Sequence, residues 1–181
     1  MSGQPTYDLE MLAARAEIED CMYRYCHATD RRRWWLMDSI FHEDATAKLS
    51  VLPGGSWREF IEQGAALIAP IGVTHHQISN IQIAFDGDIA HVETYITAFH
   101  RVPANAPAGG VFGGTGEDYD AVFGGRYLDR FEKRYGHWRI ADHQSVSDFR
   151  NYRPVSEGPV PLPQAVSDED VSLNVVAHWK V

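Results

Sequence analysis

Four residues of this 181-residue chain could together form an acid–base centre: Tyr25, Asp30, His75 and His76. An ionised carboxylate beside an imidazole fixes the tautomer of the ring and stabilises the imidazolium, which makes the histidine a better base. Three arginines follow Asp30 directly, and their charge should keep its carboxylate ionised. Since adjacent strand residues face opposite ways, at most one of the two histidines shares a site with Asp30.

Each of these residues also has an ordinary structural interpretation. Asp30 could be a surface carboxylate at a helix end, and Tyr25 could be a core residue. Two histidines and a carboxylate are also the ligands of non-haem iron, but the divergence of His75 and His76 disfavours that arrangement. We therefore expect no metal, and only the combination of Tyr25, Asp30 and one histidine supports a catalytic role.

The sequence motifs of several other catalytic classes are absent. The chain contains no GxGxxG after a strand, no GxxxxGK[ST], no GxSxG and no HExxH. Nucleotide-binding, serine-nucleophile and zincin chemistry therefore have no motif support. What remains is acid–base chemistry without a cofactor, whose usual agents are histidine, carboxylate and tyrosine.

The composition limits the partners of the protein. Sixteen Lys and Arg against 25 Asp and Glu give a net charge of −9, which disfavours nucleic acids and anionic membranes as partners. Aromatic residues make up 12% of the chain and can line a cavity for a small hydrophobic molecule. The chain begins without a signal-peptide pattern, and no apolar run reaches the roughly 20 residues that span a bilayer. We therefore expect a cytoplasmic protein.

The first part of the chain has the pattern of helices around one strand. Asp8 can cap a helix that runs to about residue 28, because its apolar residues recur at three- and four-residue steps. Residues 33–41 predict a short second helix, and residues 45–51 alternate as a half-buried strand does. Ser56 and Glu59 form a capping box that opens a further helix, which should end before the proline at position 70.

The second part alternates with a period of two, which is typical of strands. Residues 77–85 and 89–101 predict one antiparallel hairpin, and residues 121–134 and 137–148 predict another. The segment 103–119 between them is rich in Gly, Pro and Ala and is too long for an ordinary hairpin, so we interpret it as a functional flap or a mobile segment.

This order of elements predicts an α+β domain. A mostly antiparallel sheet that curves over N-terminal helices leaves a pocket between the two layers, and that pocket is the default ligand site. The domain should comprise residues 1–153, followed by a Pro-rich extension over 154–181. In that extension, residues 171–181 could add an edge strand or pack on a neighbouring subunit.

Three segments resemble, in this order, the SnoaL-like members of the nuclear transport factor 2-like superfamily: YRYCHATDRRRWWLMDSIFHEDA, THHQISNIQIAFDGDIAHVETYITAFHR and GRYLDRFEKRYGHWRIADHQSVSDF. The likeness covers about residues 8–150. That group is similar to scytalone dehydratase, bile-acid 7α-dehydratase and hexachlorocyclohexane dehydrochlorinase. The resemblance implies a cone-shaped sheet packed on the N-terminal helices, an architecture called an α+β barrel.

The resemblance also implies roles for individual residues. It makes Asp30 and His76 a catalytic dyad, with Asn80 four residues after the histidine. The tyrosine that a relative has five residues before its aspartate falls on Tyr25. Several relatives have an arginine in the last strand where this chain has His143. A histidine can be neutral, donate or accept, so stabilisation of the leaving group should differ here.

The remaining expectations concern the walls of the pocket. Simple alternation places His143 on the strand face opposite Trp138 and Ile140. We expect His91, His100 and His137 at the surface beside strand ends. Six residues are candidates for binding a substrate: Trp34, Trp35, Trp57, Tyr95 and Phe99 as apolar walls, and Asn80.

By this resemblance, the protein is expected to be a cofactor-independent lyase of the dehydratase type. Its substrate would be a hydrophobic aromatic or alicyclic hydroxylated small molecule. The alternatives from the same superfamily are a lyase that releases formaldehyde from lignin-derived diaryl compounds, an isomerase like ketosteroid isomerase, and the non-catalytic small subunit of a ring-hydroxylating dioxygenase. Because relatives form trimers and dimers, we expect a homotrimer or a homodimer.

Overall fold

The computed structural model describes residues 7–49, 53–155, 170–177 and 179. It has helices at the N-terminus packed against one curved sheet, so the α+β class expected from the sequence is confirmed. Among the residues described, no helix is both long and apolar enough to cross a membrane.

The first helix, α1, spans Leu9–Asp30 and begins as its sequence predicts. The Asp8 carboxylate accepts a hydrogen bond from the backbone N–H of Met11 at 2.8 Å, which satisfies one of the free donors at the helix start. The helix continues two residues beyond the expected end at Ala28, so Asp30 is its last residue. The chain then turns sharply at Arg32, whose φ of 57° is left-handed.

The segment after α1 differs in detail from the prediction. Trp34–Ser39 form a 3₁₀ helix, and strand β1 spans Phe41–Leu49, four residues earlier than the alternation at 45–51 indicated. Strand β2 is the short segment Gly55–Ser56. Helix α2 spans Trp57–Ile68.

The capping box that opens α2 is confirmed. The Ser56 hydroxyl accepts from the backbone N–H of Glu59 at 3.3 Å, and Glu59 Oε2 accepts from the backbone N–H of Ser56 at 3.0 Å. Both donors at the helix start are thereby satisfied.

Four long strands form most of the sheet: β3 (Val73–Asp86), β4 (Ile89–Val102), β5 (Tyr119–Arg134) and β6 (His137–Pro154). The order across the sheet is β2, β1, β6, β5, β4, β3, and the described sheet does not close into a barrel. Strand β1 runs parallel to β6, and the other neighbouring pairs are antiparallel. The two predicted hairpins, β3–β4 and β5–β6, are confirmed.

Bulges in the sheet decide which side chains face the helices. In β5–β6, Phe131 lies opposite Ile140 and Arg130 opposite Asp142, so Ala141 is an extra residue. The expectation that His143 faces away from Ile140 is therefore wrong: the bulge reverses the alternation, and His143 is 1% exposed. A second bulge lies in β3 at Asn80, whose φ is 49°.

The C-terminal segment adds a helix to the fold. Residues 173–176 form the short helix α3 rather than an edge strand, and Val176 is buried in the main core of the same chain. The Trp179 ring lies 4.9 Å from the ring of His27, centroid to centroid. Three prolines of the Pro-rich extension, at positions 159, 161 and 163, lie outside the described residues, and the domain division at residue 153 stays a prediction.

We predict that Gly125→Ala lowers the free energy of unfolding by about 1–3 kcal/mol, because the new methyl group would overlap the carbonyl oxygen of Val146 on β6. Gly64→Ala is the matched control, since a Cβ at this helical position meets no atom within 4 Å and should raise stability by about 0.5–1 kcal/mol. Urea unfolding followed by circular dichroism measures both changes. Equal stability of the Gly125→Ala protein and the unaltered protein would contradict the tight strand contact.

Candidate active site

An apolar cavity lies between the sheet, the two long helices and the loop after β4. It contains about 940 Å³ of space free of atoms, a volume that includes open solvent at its mouth. Most of the wall is aliphatic or aromatic. The polar side chains that interrupt it include Tyr25, His76 and His100, and Arg150 also lines the cavity.

Asp30 and His76 are held together by two contacts. Asp30 Oδ1 lies 2.6 Å from His76 Nδ1, and Asp30 Oδ2 accepts from the backbone N–H of His76 at 2.8 Å. The end of α1 is thereby joined to the start of β3. With Nδ1 occupied, Nε2 is the ring nitrogen left for the cavity that His76 lines. Of the two adjacent histidines, His76 therefore faces the site, while His75 is exposed.

The surroundings of Asp30 favour its ionised form. Burial by itself would raise the pKa of Asp30, but the hydrogen bonds and charge of His76 and a hydrogen bond from Thr74 outweigh it and lower the pKa below its ordinary value. Three arginines were expected to keep this carboxylate ionised. One of them, Arg32, donates a hydrogen bond to the Thr74 hydroxyl at 2.9 Å. The main groups that keep the carboxylate ionised are therefore His76 and Thr74.

A second carboxylate–imidazole pair lies behind the cavity wall. Asp129 Oδ1 is 2.6 Å from His143 Nδ1, and both side chains are fully buried. On the other side of the ring, His143 Nε2 is 3.4 Å from the Tyr25 hydroxyl. Tyr25 lines the cavity, whereas His143 does not. Tyr25 is therefore placed to contact a ligand directly. His143, which we expected to affect stabilisation of the leaving group, is not.

His100 lines the cavity, although we expected it at the surface. It is 5% exposed, and its ring lies 5.4 Å from that of His76. The alternation of β4 could have indicated this burial, because position 100 lies on the same strand face as Ile96 and Ala98. Burial, followed by the charge of His76, lowers the pKa of His100 to about 3. His100 is therefore neutral at physiological pH.

The structure places one of the six proposed substrate-binding residues on the cavity wall, Trp34. Trp35 and Tyr95 are exposed, and Trp57 is buried in a stack on Phe41 with ring centroids 5.2 Å apart. Asn80 and Phe99 also lie away from the cavity, Asn80 because it forms the bulge of β3. The aromatic wall is built instead by Phe60, Phe112, Phe123 and Tyr127.

The long loop between β4 and β5 forms part of this wall. Val111 and Phe112 line the cavity, and Phe112 is buried against the His100 ring with centroids 4.5 Å apart. The Tyr119 hydroxyl donates to the carbonyl of Gly113 at 3.0 Å and ties the loop to β5. Its expected function as a flap stays a prediction.

A comparison with protein families identifies the chain. The family described as SnoaL-like domain matches residues 10–143. The chain belongs to the SnoaL-like family. As the sequence resemblance indicated, this family lies in the nuclear transport factor 2-like superfamily. Within the described part of the chain, no group of three or more His, Cys, Asp or Glu side chains is arranged to hold a metal ion.

Solved structures with this fold confirm the architecture. The Kfla4162 protein from Kribbella flavida is 21% identical, with a TM-score of 0.67 over 80% of this chain and 95% of its own. The hexachlorocyclohexane dehydrochlorinase LinA-type3 from Novosphingobium barchaimii is 16% identical, with a TM-score of 0.69 over 86% and 99%. A Novosphingobium aromaticivorans protein assigned as a scytalone dehydratase is 20% identical, with a TM-score of 0.63 over 82% and 97%. No curated protein matches the chain.

The burial of His100 predicts a pH dependence of stability. Because its pKa is lower in the folded than in the unfolded protein, the unfolded state binds more protons below about pH 6.5, and stability falls as the pH falls. Between about pH 7.5 and pH 5 this one residue should cost about 2 kcal/mol.

His100→Gln should remove this contribution, so its free energy of unfolding should fall less over that interval than the free energy of the unaltered protein. Urea unfolding at the two pH values measures the difference. His75→Gln, an exposed change at the start of β3, is the control and should follow the unaltered protein. Parallel losses in all three proteins would contradict a buried, neutral His100.

Proposed function

We propose that this protein is a cofactor-independent lyase that eliminates a leaving group from a hydrophobic, cyclic, hydroxylated small molecule. The observation that carries the proposal is the Asp30–His76 pair at the wall of an apolar cavity, with both carboxylate oxygens of Asp30 on His76. A perturbed carboxylate paired with an imidazole in a cleft is typical of acid–base catalysis. The fold shared with proteins named for dehydration and dehydrochlorination, which are both eliminations, supports the same reaction class.

In the proposed reaction, His76 Nε2 takes a proton from a substrate carbon next to the carbon that bears the leaving group. The electrons of the C–H bond form the new double bond, and the carbon–oxygen bond breaks with its electrons going to the departing oxygen. Asp30 stabilises the imidazolium formed at His76. That imidazolium then returns the proton to the departing hydroxyl, so water leaves and His76 is neutral again.

Two other cavity side chains have roles in this proposal. The Tyr25 hydroxyl donates to the departing hydroxyl or to a substrate carbonyl, where negative charge develops. Burial keeps the Tyr25 phenol protonated, because it raises the pKa of that group above its ordinary value. Neutral His100, beside His76, offers a second polar contact to the substrate.

The alternatives differ in where the proton goes and what leaves. An isomerase would return the proton to another carbon, and a formaldehyde-releasing lyase would break a carbon–carbon bond with the same base. The small subunit of a dioxygenase has less support, because a structural subunit has no need of a carboxylate–imidazole pair at an apolar cavity. The homotrimeric or homodimeric state stays a prediction that light scattering tests.

The proposed base can be tested without the natural substrate. In 5-nitrobenzisoxazole a base removes a proton from carbon while the nitrogen–oxygen bond breaks, and a coloured cyanonitrophenolate forms. We expect the protein to accelerate this elimination, and His76→Ala or Asp30→Asn to reduce the rate by about 10²–10⁴-fold. Absorbance of the phenolate measures the rate.

The control for this experiment is His75→Ala, which removes an exposed imidazole next to the proposed base. It should retain the rate of the unaltered protein, and circular dichroism should show that all variants are folded. If His76→Ala is as fast as the unaltered protein, His76 is not the base and the proposal fails.

A panel of substrates distinguishes elimination from the alternatives. Hexachlorocyclohexane and scytalone, taken from the names of the structural relatives, test for release of chloride and of water. Lignin-derived diaryl compounds test for release of formaldehyde, and a β,γ-unsaturated ketosteroid tests for isomerisation. Copurification with an iron-containing large subunit, together with no activity alone, would favour the structural role instead.

A further inference from the structure

The Asp129–His143 pair is a buried ionisable group that the proposed reaction does not use. The two residues face each other across β5 and β6, and their side chains have no exposed surface. Four aromatic rings lie around the imidazole with centroids 5.0–6.2 Å away. They belong to Tyr25, Phe41, Phe60 and Tyr127.

The partners of the Asp129 carboxyl group indicate its protonation state. One oxygen, Oδ1, contacts His143, while Oδ2 is buried without a hydrogen-bond partner among the described residues. A buried carboxylate ion needs further donors to offset its lost hydration, even when it is paired with a cation. A neutral carboxylic acid leaves only a carbonyl oxygen unsatisfied, which costs much less. Burial also raises the pKa of Asp129 and outweighs the opposing effect of His143.

The protonation of Asp129 sets the direction of the hydrogen bonds beyond it. A protonated Asp129 donates its O–H to Nδ1 of His143, so the imidazole proton is on Nε2. The Nε2–H group then donates to the oxygen of Tyr25, 3.4 Å away. The Tyr25 proton points elsewhere as a result, and the open side of this residue is the cavity that it lines.

If Asp129 is ionised and His143 is neutral, the hydrogen bond between His143 and Tyr25 runs in the opposite direction. An ionised Asp129 beside a neutral imidazole would accept from Nδ1–H, and His143 Nε2 would accept the Tyr25 proton. Tyr25 could then only accept hydrogen bonds from a ligand and could not donate to a departing oxygen.

We propose that Asp129 is a positioning residue that holds His143 in its Nε2–H tautomer and thereby makes the Tyr25 hydroxyl a hydrogen-bond donor to the ligand in the cavity. This inference rests on the proposed function in one respect, that the ligand develops negative charge on an oxygen near Tyr25. The two Asp–His pairs of the site then work in opposite senses, Asp30 as an ionised acceptor and Asp129 as a neutral donor.

The tautomer can be measured directly and without any substrate. Protein labelled with ¹⁵N-histidine gives separate nitrogen resonances for protonated and unprotonated ring positions, and His143→Gln identifies the His143 signals by their loss. We expect an unprotonated Nδ1 and a protonated Nε2 near neutral pH. A protonated Nδ1, alone or together with a protonated Nε2, would overturn the inference.

The effect on Tyr25 is measured with 5-nitrobenzisoxazole, whose departing oxygen becomes a phenolate. Tyr25→Phe should lower kcat by about 10²-fold, as loss of one donor to a developing oxyanion does. Asp129→Leu should lower it as much, because Nδ1 loses the donor that sets the tautomer. Asp129→Asn should recover most of that loss, because its amide N–H can donate to Nδ1 as a carboxylic acid does.

The double variant Tyr25→Phe with Asp129→Leu separates positioning from packing. If Asp129 acts only through the Tyr25 hydroxyl, the double variant should be no slower than Tyr25→Phe alone. Additive losses, or an Asp129→Asn protein as slow as Asp129→Leu, would overturn the inference. If Asp129→Leu does not fold, the Asp129→Asn rate and the tautomer still decide.

The two proposals fail in distinguishable ways. If His76→Ala and Asp30→Asn keep the full rate while His143 has the expected tautomer, the proposed function is wrong and the assignment of the buried pair stands. If those two variants lose the rate while Nδ1 of His143 is protonated, the base is right and the role of Asp129 is wrong.

Discussion

The hydrogen bonds that Asp30 accepts from His76 connect the helical layer to the sheet at the wall of the cavity. One carboxylate oxygen holds the backbone and the other holds the ring, so the same group sets the start of β3 and the orientation of the imidazole. This is possible because α1 ends on Asp30 and the chain turns away at Arg32. The proposed base and the start of β3 are both positioned by this contact.

The two carboxylates of the site differ in how many donors surround them. Asp30 receives the backbone N–H and ring of His76 and the hydroxyl of Thr74, which together outweigh the cost of its burial. Among the described residues, the Asp129 carboxyl group has His143 as its only hydrogen-bond partner, on one oxygen, and the side chain has no exposed surface. Several hydrogen bonds stabilise a buried carboxylate more effectively than one does. The aspartates of the two Asp–His pairs therefore have pKa values shifted in opposite directions, lower for Asp30 and higher for Asp129.

Much of the fold follows from local patterns in the chain. The Asp8 cap, the Ser56–Glu59 capping box and the two hairpins are present as predicted, because each depends on residues close together in sequence. The start of β1 was misplaced because Phe41–Asp44 belong to a strand paired with distant β6, and local alternation carries no record of that pairing. His143 was assigned to the wrong strand face for a related reason, since one bulged residue reverses every side chain after it.

The sequence by itself determined the α+β class, the family resemblance and the candidates Tyr25, Asp30 and the His75–His76 pair, because those features rest on residue type, spacing and order. The tertiary structure decided which of the two adjacent histidines faces the cavity and brought His100 to its wall. It also paired Asp129 with His143 behind Tyr25 and replaced most of the expected aromatic wall. These outcomes depend on strand register, bulges and the packing of separate elements, which are long-range contacts that no local pattern specifies.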